Sequence, residues 1–232
     1  MFLETLLYAA SLPGTPAAYR RHLADGVGIW SRGRRQASAW APHLRRTRAV
    51  IERQAAAIPS RRTVAVLGSG PLFDVPVAAL ARQFANVVLV DRTHLAPARL
   101  QTAGTANVRH LWADLSATLP DMPDLDWVIS VNLLSQLGLG APEHRARQVI
   151  DAHLGMLTAL PCAVTLITDT AYATIDRSGS LRKRHDLLLG RALPPTDENW
   201  TWEVAPFGED GGDTRRVHQV AAYADWRAAL RR

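Results

Sequence analysis

Short apolar runs alternate with longer amphipathic stretches over most of this chain. The runs occupy residues 63–67, 87–90, 107–111, 126–131 and 163–168. Several are nearly continuous in Val, Leu, Ile and Ala, a pattern typical of strands buried on both faces of a parallel sheet. Helical patterns lie between them, at residues 95–103 and 142–159 among others. This alternation predicts an α/β fold with a doubly wound, mostly parallel sheet of about seven strands.

The C-terminal part has a different pattern. Residues 200–204 and 217–223 are strand-like, and a polar, glycine-rich connection at 208–213 separates them. This arrangement predicts a hairpin, with the last strand entering the sheet antiparallel to its neighbours.

Residues 1–60 are predicted to form a helical segment ahead of a sheet domain at 61–232. Ser31 is a candidate N-cap for a helix. After it, mostly apolar residues recur at three- and four-residue steps and form one apolar helix face. They are Ala37, Trp40, Leu44, Thr47 and Ile51. We expect this segment to serve as a lid or as a region that contacts substrate or a partner.

A glycine-rich turn directly follows the first predicted strand. Gly68, Ser69 and Gly70 stand where backbone can approach a ligand closely and expose its amides. Asp91 ends the second strand, where a carboxylate can accept hydrogen bonds from both hydroxyls of a ribose. The alternative for Asp91 is that it caps the turn that follows it.

Two further polar residues follow strands at the same edge. Asp114 comes after the third strand and can accept a bond from an adenine amino group, or it is simply solvated. Asn132 ends the fourth strand and can face cofactor or substrate, or bond to local backbone.

Phe73 occupies the third-glycine position of a dinucleotide-binding turn, which favours a nucleoside ligand without phosphates. Asp74 is predicted to cap the next helix, with Pro76 in its first turn.

These motifs resemble those of the class I, Rossmann-like S-adenosylmethionine-dependent methyltransferases. The similarity runs from about residue 62 to residue 223 and covers the glycine turn, the two acids and the strand that ends at Asn132. It implies methyl transfer, S-adenosylmethionine as the cofactor, and a set of cofactor-binding residues. The set is Gly68, Ser69, Gly70, Asp91, Asp114 and Asn132.

The first motif departs from the family pattern at two positions. Val66 stands where the family usually has an acid, and Leu72 where a third glycine is common. These departures motivate an alternative, a non-catalytic binding or scaffold protein that keeps the methyltransferase-like fold. The resemblance does not identify the methyl acceptor, which can be a small molecule or a protein, or the oligomeric state.

A methyl transfer that needs a general base has three candidates near the predicted strand ends: Asp169, His144 and His185. None is singled out by its sequence context, so the catalytic residue is unknown at this point. The stretch from 169 to 190, after the fifth predicted strand, is expected to border the acceptor pocket.

The net charge of +6 raises the further alternative of a nucleic-acid-binding methyltransferase. Lys183 is the only lysine, and the arginines cluster in the first 62 residues. A solvated helical face explains such a cluster, and no aromatic–basic recognition module is present, so nucleic acid is not the favoured partner.

The remaining composition excludes several classes of protein. Cys162, the only cysteine, precludes an internal disulfide and is expected to be a buried, inert thiol. With no cysteine pairs and only scattered histidines, the sequence has no zinc or iron–sulfur spacing, so no metal is expected. No apolar run reaches the ~18 residues of a membrane span, and the first residues lack a cationic signal region. We expect a bacterial cytoplasmic protein.

Overall fold

Eight strands form one sheet in the computed structural model of this protein, which describes residues 2–116, 118–210 and 212–232. In chain order they are β1 (Thr63–Leu67), β2 (Asn86–Asp91), β3 (Val108–Trp112), β4 (Leu125–Val131), β5 (Ala163–Asp176), β6 (Leu181–Asp186), β7 (Glu198–Ala205) and β8 (Thr214–Tyr223). The helices are α1 (Phe2–Ser11), α2 (Leu23–Arg35), α3 (Ala37–Ala57), α4 (Val77–Gln83), α5 (Ala96–Thr102), α6 (Glu143–Ala159) and α7 (Trp226–Ala229).

The strands lie in the order β3-β2-β1-β4-β5-β8-β7, and β6 pairs with β5 off this path. The first five strands are mutually parallel, whereas β8 runs antiparallel between β5 and β7. The predicted fold class and the antiparallel last strand are therefore confirmed. The order reverses between β1 and β4, which is where open α/β sheets bind ligands, outside the carboxyl ends of the strands.

The fifth strand is longer than its sequence pattern predicted. It was expected to end at residue 168, but β5 is 14 residues long and ends at Asp176. Its first residues pair with β4, and beyond Asp169 it pairs with β6 on one side and β8 on the other. The sheet therefore extends past the carboxyl ends of β1 and β4. We call this extension, formed by residues 169–176, 181–186, 200–205 and 214–219, the sheet arm.

Side chains on alternate positions pack two separate hydrophobic layers. Val64 and Val66 of β1 face one layer, which includes Ile51 of α3. Ala65 and Leu67 face the other, which includes Leu154 of α6. Because α3 and α6 cover opposite faces, β1 is buried along its whole length, as its continuous apolar run predicted.

Two predicted helix starts were wrong. Ser31 is not an N-cap, because it lies within α2 and is buried there; the helix with the expected apolar face begins at Ala37. Asp74 does not cap α4, which begins at Val77 without a side-chain cap. Asp74 instead accepts a hydrogen bond from Asn132, a tertiary contact that takes precedence over the local one.

The contact between α3 and the sheet predicts a large stability difference between two substitutions. Ile51 is 0% exposed, whereas Leu100 of α5 is 73% exposed. Ile51→Ala is expected to lower the free energy of unfolding by about 2–5 kcal/mol. Leu100→Ala is expected to change it by about 0.5 kcal/mol or less, because it removes little buried surface. Urea unfolding followed by circular dichroism measures both; equal midpoints would show that α3 is not part of the folded core.

Candidate active site

The loop after β1 is pressed against the ends of two neighbouring strands. Gly68 has φ +79° and its amide donates to Val90 O at 2.9 Å. A Cβ atom on Gly68 would lie 2.8 Å from the carbonyl oxygen of Val131 and 2.8 Å from Leu133. Glycine is therefore required here both for the left-handed backbone and for the close approach.

The rest of the loop is turned by positive φ angles. Gly70 has φ +46°, and a Cβ atom there would meet only Gly68 O, at 3.9 Å, so the space above it is open. Leu72 has φ +62°, an unusual angle for a branched apolar residue. The turn is therefore retained at the position where the family commonly has a third glycine.

Asp91 lies beneath this loop and contacts it. Its Oδ2 accepts the amide proton of Gly70 at 2.9 Å, and its Oδ1 accepts the amide proton of Thr93 at 2.9 Å. Burial raises the pKa of Asp91, while the amides of Thr93 and Gly70 oppose that shift. The acid thus joins the ends of β1 and β2, and it also has the local capping contact that was the alternative interpretation.

Asp114 lies beside the same strand end but already has partners. Its Oδ1 accepts hydrogen bonds from the Ser116 amide at 3.0 Å and the Ser116 hydroxyl at 2.5 Å, and it forms an ion pair with Arg92. Partial burial alone would raise the pKa of Asp114, but Ser116 and Arg92 lower it to about 2. Asp114 is therefore ionised and held next to the residue that follows Asp91.

Asn132 belongs to a buried polar cluster that the sequence did not indicate. Its Nδ2 donates to Asp74 Oδ2 at 2.6 Å and lies 3.2 Å from His43 Nε2. His43 Nδ1 accepts a hydrogen bond from Trp200 Nε1 at 3.0 Å. Burial lowers the pKa of His43 to about 3 and raises the pKa of Asp74, so His43 is neutral at pH 7. His43 comes from α3, Asp74 from the loop after β1, and Trp200 from β7. No local sequence pattern connects them.

Two buried oxygens at this end of the site lack a hydrogen-bond partner among the described residues. They are Ser69 Oγ, on the loop after β1, and Asn132 Oδ1. Asn132 has φ +48°, a conformation that asparagine tolerates better than most residues, and its amide donates to Ile167 O. Buried polar atoms are normally paired, so these two identify a place where a polar ligand would be accommodated.

The three candidate bases differ in burial and in their position relative to the site. Asp169, on β5, is 6% exposed and accepts hydrogen bonds from Ser135 and from His218 Nδ1. His185 is exposed on β6, and His144 is exposed on the first turn of α6, the helix on the opposite sheet face from α3. Only Asp169 lies in a buried network at the carboxyl edge; its partner His218 was not a candidate from sequence.

Helix α2 crosses over the loops after β1 and β2. A Cβ atom on Gly26 would lie 2.9 Å from Thr93 Oγ1, and one on Gly33 would lie 2.4 Å from the ring of Phe73. Arg35 pairs with Glu209 at 2.7 Å, which joins this segment to the connection between β7 and β8. Two small residues on one side of α2 thus allow the helix to lie directly against the site.

The stretch from 169 to 190 also lines a surface depression of about 510 Å³. Thr170, Ala171 and Arg184 contribute to its wall. In the register of the sheet arm, Ala171 and Arg184 point away from Tyr172 and His218. The depression therefore lies on the other face of the sheet from Asn132 and His43.

The described chain shows neither a membrane-spanning helix nor a metal-binding group. No helix in residues 2–116, 118–210 and 212–232 combines the length and the apolar character needed to cross a membrane. Within those same residues, no cluster of three or more His, Cys, Asp or Glu side chains is arranged to hold a metal ion.

Comparisons with known proteins give likenesses in structure only. No protein-family model matches the chain, and no curated protein matches it in sequence. Among solved structures, it is similar to the N-methyltransferase NodS from Bradyrhizobium japonicum WM9 in complex with S-adenosylhomocysteine, at 14% identity and a TM-score of 0.44, over 77% of this chain and 86% of that one.

Two further solved structures have comparable likeness. The 1,6-didemethyltoxoflavin-N1-methyltransferase from Burkholderia thailandensis has 14% identity and a TM-score of 0.42, over 82% of this chain and 85% of that one. The DhpI–SAH complex has 18% identity and a TM-score of 0.41, over 92% and 95%. Each is a protein that this chain is similar to, and the function of this chain depends on its own site geometry.

The loop after β1 predicts unequal effects of two glycine substitutions. Gly70→Ala introduces only backbone strain and is expected to cost about 1–2 kcal/mol of stability. Gly68→Ala adds a clash with the carbonyl of Val131 and is expected to cost at least about 1 kcal/mol more. Thermal and urea unfolding of both variants check this, and a Gly68→Ala protein as stable as Gly70→Ala would contradict the close approach.

Proposed function

We propose that this chain transfers a methyl group from S-adenosylmethionine to an acceptor that is not yet identified. The observation that carries the proposal is the hydrogen bond of 2.9 Å between the Gly70 amide and the Asp91 carboxylate. It places an acid and an open glycine turn side by side at the topological switch point of the sheet, where a nucleoside would bind. The motifs that resemble the class I methyltransferases are the ones brought together here.

The residues present fit the cofactor at both of its ends. Asp91 would bind the ribose through Oδ2, which keeps a lone pair beyond its bond to the Gly70 amide, whereas Oδ1 already accepts both the amide and the hydroxyl of Thr93. Asp114 would lie near the adenine, with Oδ2 as the oxygen left by Arg92 and Ser116. The turn at Gly68, Ser69 and Gly70 would contact the methionine part.

The methionine end differs from the family pattern in its acid. Val66 is fully buried in β1 and contributes no polar atom from its side chain. Asp74 supplies a carboxylate on the same loop, and the guanidinium of Arg48 contacts the carbonyl of Phe73 next to it. We propose that Asp74 and Asn132 together take the place of the missing acid, with Asn132 Oδ1 available for an ammonium group.

The cofactor would supply a methyl group already activated by its sulfonium charge. The chain's own task is then to align the acceptor, to exclude water and to accept a proton where the acceptor carries one. Helix α2 is suited to excluding water, because Gly26 and Gly33 let it lie on the loops that would hold the cofactor. We therefore propose that the segment before β1 is a lid.

A non-catalytic binding protein with this fold is the second candidate. The ion pair between Arg92 and Asp114 favours it, because Arg92 already engages one oxygen of the carboxylate that is expected to contact the adenine. Nucleic-acid binding has less support, since several arginines of the first 62 residues are paired within the protein. Those pairs are Arg32 and Arg35 with Glu209, Arg53 with Glu198, and Arg62 with Asp126.

Calorimetric titration with S-adenosylmethionine and S-adenosylhomocysteine tests the proposal. We expect both to bind, and Asp91→Asn to weaken binding of both by at least about tenfold, because it removes the charge from the hydrogen bonds to the ribose. Asp121→Ala, at an exposed aspartate between β3 and β4, is the matched control and should bind as the native protein does.

The outcomes separate the candidates. Absence of heat with either ligand at high protein concentration would reject the methyltransferase. Binding that is unaffected by Asp91→Asn would show that the ligand binds at a site that does not include Asp91. Cofactor binding without product formation against any acceptor class would favour the binding protein.

A further inference from the structure

One face of the sheet arm carries a continuous row of rings. His185 is paired in register with Tyr172, Tyr172 with His218, and His218 with Trp202, across β6, β5, β8 and β7. The ring centroids are 5.1, 5.4 and 5.9 Å apart in that order. Paired positions on neighbouring strands point to the same face, so the row is a consequence of the register.

Within this row, His218 is held as one tautomer. Its Nδ1 lies 2.6 Å from Asp169 Oδ2, and the hydroxyl of Ser135 donates to the other oxygen of the same carboxylate. A carboxylate accepts hydrogen bonds, so the proton of the neutral ring is on Nδ1 and the lone pair is on Nε2. The Nε2 atom is buried and has no hydrogen-bond partner among the described residues.

The same row contains a second unpartnered polar atom, a donor. The indole Nε1 of Trp202 is buried and has no partner in the described part of the chain. Trp202 is the cross-strand neighbour of His218, so a free donor and a free acceptor come from adjacent positions of one surface. An occupant that offers both a hydrogen-bond donor and an acceptor, on a flat ring that packs against the row, would pair both atoms.

This group lies next to the proposed cofactor site. Ser135 is three residues beyond Asn132, in the turn Leu134–Gln136, and Gln136 donates to Asn132 O at 2.5 Å. The ring of His43, which contacts Asn132, also stacks on Trp202 with centroids 4.1 Å apart. The Trp202 end of the row is therefore the end that lies next to the place proposed for the methionine part of the cofactor.

We infer that His218, oriented by Asp169 and Ser135, is the general base for the methyl acceptor, and that the acceptor presents an acidic O–H or N–H on a flat conjugated ring. The inference rests on the proposed methyl transfer for its reaction. The acceptor's heteroatom forms a bond to the methyl carbon, and the bond from that carbon to sulfur breaks with its electron pair going to sulfur. The acceptor's proton passes to Nε2 of His218, so the positive charge that leaves the sulfonium appears on the imidazolium.

The charges around His218 suit this role. Asp169 stabilises the imidazolium that forms, in the way a carboxylate orients a catalytic histidine. His43, on α3, is neutral because burial lowers its pKa to about 3, so it does not oppose a second positive ring. The guanidinium of Arg216, on β8, lies 5.3 Å from the centroid of the Tyr172 ring and is paired with Asp210, which offsets its charge.

Binding of 4-nitrophenol tests the inference, because its ionised form absorbs in the visible and its neutral form does not. We titrate the native protein with this probe at a pH where free 4-nitrophenol is mostly neutral, with and without S-adenosylhomocysteine. We expect it to bind as the phenolate. In His218→Asn the bound phenolate should fall by about tenfold or more, the effect of losing one charge-assisted hydrogen bond.

His144→Asn is the matched control, since it removes an exposed histidine of α6, on the opposite face of the sheet from the row, and should leave the phenolate signal within about twofold of native. Failure of 4-nitrophenol to bind, or an equal phenolate signal in His218→Asn, would overturn the inference. The calorimetric binding of S-adenosylhomocysteine to His218→Asn should be unchanged. If the native protein does not bind that ligand, the proposed function fails, whereas the ionisation result is read independently.

Nitrogen-15 NMR of the histidine rings gives a second test, because it reports directly which ring nitrogen of His218 carries the proton. The native spectrum should show His218 with its proton on Nδ1 and an unprotonated Nε2. Ser135→Ala should weaken this preference, and Asp169→Asn should allow both tautomers. A proton on Nε2 in the native protein would overturn the inference even if every variant folds.

Discussion

The hydrogen bond between the Gly70 amide and the Asp91 carboxylate is the contact on which the rest of the site depends. Placing a carboxylate beneath a loop costs free energy, as the raised pKa of Asp91 reflects, and the amides of Gly70 and Thr93 offset that cost. The bond forms only because Gly68 lets the loop approach the carbonyl of Val131. One backbone position without a side chain thus fixes where the ends of β1, β2 and β4 meet.

The second constraint is the length of β5. A strand that stopped with its parallel neighbours would leave the carboxyl edge open to solvent on the side of β4. Because β5 continues to Asp176 between β6 and β8, a wall of side chains stands beyond that edge. In the proposed function, the parallel part of the sheet would hold the nucleoside, and the antiparallel arm would contact the methyl acceptor.

The sequence was sufficient for the features that depend on local pattern. Continuous apolar runs identified the buried strands, and the glycine turn followed by Asp91 identified the switch point. It was insufficient for β6, whose six residues are all exposed and mostly charged, so that no apolar period marks them.

His43 and His218 were also missed, because their partners lie 157 and 49 residues away in the chain, at Trp200 and Asp169. Ser31 was misassigned as a cap because the apolar spacing of α3 and α2 runs together across the short break at Gln36.

Two series of contacting side chains converge on the segment after β4. One runs from Trp200 to His43, whose Nε2 lies 3.2 Å from Asn132 Nδ2, and the other from His218 through Asp169 to Ser135. Trp202 joins them, since it stacks on His43 and is the cross-strand neighbour of His218. Packed rings, rather than flexible loops, therefore fill the space between Asn132 and His218. The residues that would hold the donor and the residue that would receive the proton are in this way held in one geometry.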